Sequence, residues 1–216
     1  MLILQNFKKN YNNKLVLEIA NLKIHSGIHL IKGINGSGKT TLFKCISGIL
    51  YSEGDISLEG INLKKDPIRY RRLVSYSEAE PMYPSFLSGN DLIQFVSKAR
   101  KADEKEINML IQNLEISTFL HDPICTYSSG MIKKLSLVMG FIGKPKLIIL
   151  DEPLVTIDKA AVNNMITLIK KYHSQYNCAF LISTHQDFAK TDLTIDSTYQ
   201  VLNQSVNIIL REIYLK

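Results

Sequence analysis

The sequence predicts an α/β fold: a mainly parallel core sheet, an N-terminal antiparallel β region and an inserted α-helical segment. Three observations lead there. The apolar run Ile28-His29-Leu30-Ile31 enters a glycine-rich turn, Gly33-Ile34-Asn35-Gly36-Ser37-Gly38-Lys39-Thr40-Thr41, and a helical pattern from Leu42 to Leu50 leaves it. The run Leu147-Ile148-Ile149-Leu150 shows no polar alternation, which marks a strand covered on both faces, as in a parallel sheet. Between them, from Ser88 to Gly143, apolar residues recur at helical spacing.

Along the chain, Leu15 to Ile19 and Leu22 to Ile24 fit antiparallel strands joined by a short turn at Ala20-Asn21, with a polar turn at Asn12-Asn13-Lys14. Gly54 to Leu63 alternates around a glycine, a hairpin signal, and Leu73-Val74-Ser75-Tyr76 reads as a short strand. A proline-punctuated loop, Ser77 to Pro84, follows. Ser88 and Asp91 have capping-box spacing ahead of Leu92, Ile93, Phe95 and Val96, and Asp103 and Glu106 repeat it ahead of Ile107, Leu110, Ile111 and Leu114. A third helix begins after Ser128. Asp158 caps a helix carrying Val162, Met165, Ile166 and Ile169; Cys178 to Ser183 is a second buried strand, and Thr198 to Leu215 alternates as one or two closing strands.

The totals suit one globular domain of 216 residues, with 45% hydrophobic and 21% charged side chains. No run of 18 apolar residues occurs, and Met1 to Lys9 lacks signal-peptide order, so a cytosolic protein is expected. Cys45, Cys125 and Cys178 are widely spaced with no CxxC, which predicts free, buried thiols in a reducing compartment. The net charge of +6 raises nucleic acid or a membrane surface as partners. The lysines are scattered, however, and Arg69-Tyr70-Arg71-Arg72 is short, so a solvated basic face is the expectation and no nucleic acid is expected.

The glycine-rich turn matches G-x-x-x-x-G-K-[ST], in the strand–turn–helix context that the motif needs. Gly33, Gly36 and Gly38 let successive N–H groups face one anion, and the helix N-terminus adds its dipole and unpaired donors. Lys39 is suited to reach β- and γ-phosphates, and the Thr40 hydroxyl to ligate Mg²⁺. Asp151 and Glu152 stand at the carboxyl end of the aliphatic strand, where open α/β sheets bind ligands. Asp151 suits holding Mg²⁺ through water, and Glu152 suits polarising an attacking water. His185 also follows a strand's carboxyl end; His25, His29, His121 and His173 read as structural. Tyr11 is an aromatic that could stack on a base, or simply a turn tyrosine.

Taken together, GINGSGKTT, the helical insertion, YSSGMIKKL, LIILDEP and STH resemble the nucleotide-binding domain of ABC transporters over nearly the whole chain. That resemblance implies a P-loop NTPase, RecA-like core, with 1–216 as a single domain. Within it, 1–26 would be the antiparallel β region, 27–87 and 144–216 the ATP-binding core, and 88–143 the helical subdomain. The family's LSGGQ signature is matched by Tyr127-Ser128-Ser129-Gly130-Met131, where Ser129 and Met131 depart from the pattern. By the same resemblance Glu152, His185 and Lys39 are catalytic, with His185 the switch histidine at the γ-phosphate. ATP would be held by Tyr11, Gly33, Asn35, Gly36, Ser37, Gly38, Lys39, Thr40, Thr41, Ser128, Ser129, Gly130 and Asp158, with Phe7 a second candidate for stacking. Mg²⁺ would fall to Thr40, Asp151 and Glu78. The family has a glutamine where this chain has Glu78 or Glu80, and counting back from Met82-Tyr83-Pro84 favours Glu78. An ionised glutamate accepts but cannot donate a hydrogen bond.

The resemblance further implies an ATP-clamped dimer with a second ATPase chain, driving a separate transmembrane permease subunit from the cytoplasmic face of the membrane. Two other readings compete: a soluble ABC-type ATPase acting on nucleic acid or ribosomes, and a degenerate module that holds ATP with little turnover. Intact Lys39, Thr40, Asp151, Glu152 and His185 oppose the latter.

Overall fold

A long hairpin opens the chain. Strands β1 (Leu2–Tyr11) and β2 (Lys14–Ile24) pair antiparallel, with Leu4 opposite Leu22 and Tyr11 opposite Lys14. The computed structural model describes residues 1–184 and 192–209. The hairpin turn is at Asn12-Asn13, where Asn12 takes φ 52°, a left-handed conformation that asparagine tolerates. Ala20-Asn21, expected as a turn, lies inside β2, because pairing with β1 carries the strand straight through.

Strands β4 (Glu53–Leu58) and β5 (Ile61–Asn62) extend this sheet in the order β2-β1-β4-β5. Its register slips by one residue beside Asn6 (φ 49°), and Gly54 (φ 74°) sits opposite the slip. A Cβ on Gly54 would lie 2.2 Å from the Asn6 carbonyl oxygen, so only glycine fits there. The bulge changes the phase of β1 and turns Phe7 fully into the core, so Phe7 cannot stack on a ligand.

The second sheet has the order β10-β9-β3-β8-β7-β6. Its strands are β3 (Ile28–Lys32), β6 (Val74–Ser77), β7 (Leu147–Asp151), β8 (Ala179–Ser183), β9 (Ser197–Leu202) and β10 (Ser205–Ile209). The first five of these run parallel, and β10 pairs antiparallel with β9. Helix α1 (Lys39–Ile46) follows β3. The basic cluster forms a short helix, α2 (Pro67–Leu73), whose Tyr70 is buried and donates to the Ile46 carbonyl at 2.8 Å. Helices α3 (Gly89–Arg100), α4 (Glu104–Asn113) and α5 (Ser129–Phe141) lie between β6 and β7, and α6 (Lys159–Tyr176) crosses from β7 to β8. Ser88, Asp103, Ser128 and Asp158 cap α3 to α6, each side chain accepting the N–H three residues on.

Period two along the parallel strands builds two cores. Ile28, Leu30, Ile148, Leu150, Phe180 and Ile182 face α3 to α6. Ile31, Leu147, Ile149 and Leu181 face α1 and the antiparallel sheet. This two-sided burial explains the unbroken aliphatic run in β7. Cys45 and Cys178 are buried thiols as expected, but Cys125 is exposed, in a turn outside the core.

His29 lies between these layers at the end of β3 opposite the glycine-rich turn. Its Nε2 bonds the His25 carbonyl at 3.0 Å and its ring stands edge-on to Tyr199. Burial, the largest influence, holds its pKa below the ordinary 6.5 despite Asp196 nearby. The folded state therefore favours neutral His29, and its contribution to stability is full above pH 6.5 and shrinks as pH falls through the lowered value. Urea titrations at pH 7 and pH 5 should show wild type losing more stability on acidification than His29→Gln. Equal losses would mean His29 is charged in the fold.

Candidate functional site

The glycine-rich turn closes β3 onto α1. Gly36 (φ 78°) and Gly38 (φ 107°) occupy left-handed backbone, and Gly38 forms the N-cap of α1 with no side chain accepting its free N–H groups. A Cβ on Gly33 would lie 2.5 Å from Ser37 Oγ and 2.8 Å from the Val201 carbonyl, so the loop also needs glycine at its start. The result is a concave row of N–H donors at a helix N-terminus, an anion cradle. Two side chains are poised for such an anion. Ser37 Oγ is buried with no hydrogen-bond partner among the described residues. Lys39 folds back over the loop, donating to the carbonyls of Gly33 at 2.7 Å and Ile34 at 3.2 Å, weak acceptors that a phosphate would outcompete.

Asp151 meets this cradle from β7. It is almost wholly buried, and three hydroxyls converge on its carboxylate. Thr40 Oγ1 donates to Oδ2 at 2.8 Å, Tyr76 Oη to the same oxygen at 3.1 Å, and Ser183 Oγ to Oδ1 by a short bond. Parallel register explains this: Asp151 pairs with Ser183 across β7–β8, and Tyr76 comes from neighbouring β6. Burial, reinforced by the Asp151 charge, drives the Tyr76 phenol pKa far up, so Tyr76 stays a donor. Glu152 follows at φ 46°, left-handed for a non-glycine, a conformation that costs about 1–3 kcal/mol and persists only where its surroundings enforce it. Its N–H donates to Ser183 Oγ at 3.0 Å.

Gly36, Ser37, Gly38, Lys39, Thr40, Asp151 and Glu152 line one cleft of about 1520 Å³, which also takes in Tyr11, Asn35, Thr41, Glu80, Val155 and the β9–β10 turn; Gly33, Tyr76 and Ser183 stand behind that lining. A second cavity, at the other end of the sheet beside His29, is about 80 Å³, too small for a nucleotide. Tyr11 is half-exposed on the cleft wall, with Lys9 Nζ 5.0 Å from its ring centroid. Glu78 is not in the cleft lining: its carboxylate pairs with Lys44 at 2.9 Å, and Glu80 is the acid of that loop that reaches the cleft. Ser128, Ser129, Gly130 and Asp158 also lie outside the cleft of their own chain. Two contacts join α5 to the turn before α6 instead. Gly130 packs against the Thr156 carbonyl, where a Cβ would come within 2.7 Å, and Lys134 pairs with Asp158 at 2.7 Å. The hydrogen bond from Lys134 and the N-cap bond from Ala161 lower the Asp158 pKa to about 2. His185 lies outside the described residues.

Three partners of the site escaped sequence reasoning. Tyr76 and Ser183 read as ordinary strand ends, and only the strand order places them beside Asp151. Lys133, on α5 within the YSSGMIKKL stretch, is a further one, and nothing in its local sequence marks it. It is 1% exposed, its ammonium is enclosed by backbone carbonyls, and burial lowers its pKa to about 8 against the pull of Asp151 and Glu152.

The family model for ABC transporters matches residues 17–155, well over half of the chain. The lantibiotic transport ATP-binding protein SrtF of Streptococcus pyogenes is 29% identical over 187 residues, covering 86% of this chain and 80% of SrtF. The ABC transporter ATP-binding protein YtrB of Bacillus subtilis is 30% identical over 190 residues, covering 86% of this chain and 64% of YtrB. In fold, a solved ATP-binding subunit of an ABC transporter superposes with a TM-score of 0.85 at 24% identity, over 96% of this chain and 90% of that one. With a phosphate cradle, a buried aspartate and a following glutamate meeting in one cleft of this fold, the chain belongs to the ABC transporter family, as an ATP-binding and ATP-hydrolysing motor component.

Proposed function

We propose that this chain turns over ATP in the cleft between the glycine-rich loop and β7, and passes the resulting motion to a separate membrane-spanning subunit. The observation that carries the reading is the bond from Thr40 Oγ1 to Asp151, which joins the loop to the strand end that also bears Glu152. The loop N–H groups and Lys39 would bind the β- and γ-phosphates, and Tyr11 would stack on the base. Glu152 would accept a proton from the attacking water as the γ-phosphoryl departs.

The donor set fits Mg²⁺. Thr40 and Asp151 offer hard oxygens side by side, 2.8 Å apart. Thr40 would bind the ion directly and Asp151 through water, with phosphate oxygens completing the shell. When bound, Mg²⁺ neutralises charge on the β- and γ-phosphates.

Ser128, Ser129 and Gly130 would complete the site on a second ATPase chain, since in their own chain they stand outside the cleft at the exposed N-terminus of α5. ATP would then clamp two chains together and hydrolysis release them. For the membrane partner, the supporting feature is an apolar surface: Met82, Phe86 and Phe95 are 92%, 81% and 72% exposed on the loop before α3 and on α3 itself. No helix among the described residues is long and apolar enough to cross a membrane. The chain would therefore sit on the cytoplasmic face of the membrane, held by that partner.

Glu152→Gln should lower ATP turnover by about 10²–10⁴-fold while equilibrium ATP binding persists. Lys39→Ala should lose the nucleotide itself, and chelation of Mg²⁺ should stop hydrolysis by wild type. A Glu152→Gln protein hydrolysing at the wild-type rate would remove Glu152 as the base. Affinity purification from gently solubilised membranes should recover a stoichiometric integral membrane protein, and Phe86→Asp with Phe95→Asp should lose it. Recovery of only ribosomes or nucleic acid would favour the soluble ATPase.

A further inference from the structure

Helix α5 carries Ser128 to Gly130 at its start and Lys133 one turn further on. An ammonium has three N–H donors and no acceptor, and Lys133 uses all three on backbone carbonyls of two distant segments. It donates to Glu78 O at 2.6 Å and Ala79 O at 3.3 Å on the loop after β6, and to Asp151 O at 2.7 Å at the end of β7. The last contact is the informative one, because that carbonyl belongs to the peptide joining Asp151 to Glu152. The N–H of the same peptide is held by Ser183 Oγ at 3.0 Å. The peptide plane is therefore gripped at both ends, by α5 on one side and β8 on the other. Immediately after it, Glu152 turns through its left-handed φ of 46°.

We propose that Lys133 is the positioning residue for Glu152: α5 reaches through it to fix the peptide from which the Glu152 carboxylate is aimed at the attacking water. Lys133 is not part of the cleft lining and spends its hydrogen bonds on Glu78, Ala79 and Asp151, so its effect falls on the chemical step and not on nucleotide binding. Because Ser128 to Gly130 lie on the same helix, engagement of α5 by a second chain bears on Glu152 within this one. The same ammonium holds the loop carrying Glu80, and that loop moves with α5 as well.

The proposal rests on Glu152 being the base, and the test separates the two. Steady-state hydrolysis, equilibrium ATP binding and melting would be measured on the full chain for wild type, Lys133→Met, Lys133→Gln, Glu152→Gln and the Lys133→Met/Glu152→Gln double variant. Lys133→Met should lower kcat by about 10–100-fold with KM and ATP affinity unchanged to within about twofold. Lys133→Gln, which keeps donors in a neutral side chain, should fall between it and wild type, and it carries the test if the methionine variant does not melt cooperatively. In the Glu152→Gln background, Lys133→Met should have no further effect on the residual rate. The proposal is overturned if kcat is unchanged, if affinity falls in step with kcat, or if the two substitutions multiply. Should Glu152→Gln itself retain full activity, the base assignment fails first and takes this proposal with it; inactive Glu152→Gln beside active Lys133 variants overturns this proposal alone.

Discussion

Asp151 at the end of a strand buried on both faces is the constraint that the rest of the structure serves. Bringing a carboxylate to almost complete burial is unfavourable unless donors meet it. Here they arrive from three other elements: Thr40 from α1, Tyr76 from β6 and Ser183 from β8. The Tyr76 and Ser183 contacts depend on the sheet order, because only adjacent parallel strands deliver β6, β7 and β8 ends to the same edge. Parallel neighbours in turn require crossovers, and the crossovers supply the helices that cover both faces. The site and the core are thus one arrangement: change the register by one residue and Asp151 would exchange places with a core aliphatic.

Strain collects at the same edge. Gly36 and Gly38 take positive φ without penalty, but Glu152 does so with a side chain, and Thr156 follows at φ 69°. A left-handed glutamate survives because the peptide before it is fixed by two strong contacts, one charged. The left-handed glutamate thus sits where a carboxylate has to face a ligand, and the hydrogen bonds to Asp151 and to the Asp151–Glu152 peptide hold it there.

How much of this could be read from the chain follows from the range of each interaction. The phosphate loop is local, nine residues whose shape depends on glycines and a helix start, and it was fully legible. So were the caps at Ser88, Asp103 and Asp158, each a contact between residues three apart. The aliphatic run of β7 announced its two-sided burial. Ala20-Asn21 misled because small and polar residues resemble a turn until β1 pairs with them. Phe7 misled because a bulge at Asn6, enforced by a glycine far along the chain, shifts the alternation. Glu78 was placed by counting, which cannot show that its carboxylate pairs with Lys44 on α1 while Glu80 lines the cleft.

Lys133 marks the limit most clearly. On a helical wheel it is one more cation in Ile132-Lys133-Lys134, and its neighbour Lys134 does reach an acidic partner, Asp158. Burial of Lys133 has no local cause. It follows from the carbonyls of Glu78, Ala79 and Asp151 meeting where α5 crosses the sheet edge, a coincidence of three segments that a sequence window cannot contain. A neutral side chain could pack against the same carbonyls, but it would leave acceptors unsatisfied, and that penalty is paid in full inside a protein. The ammonium satisfies all of them at once, and in doing so it ties a helix lying between β6 and β7 to the edge that bears Asp151 and Glu152.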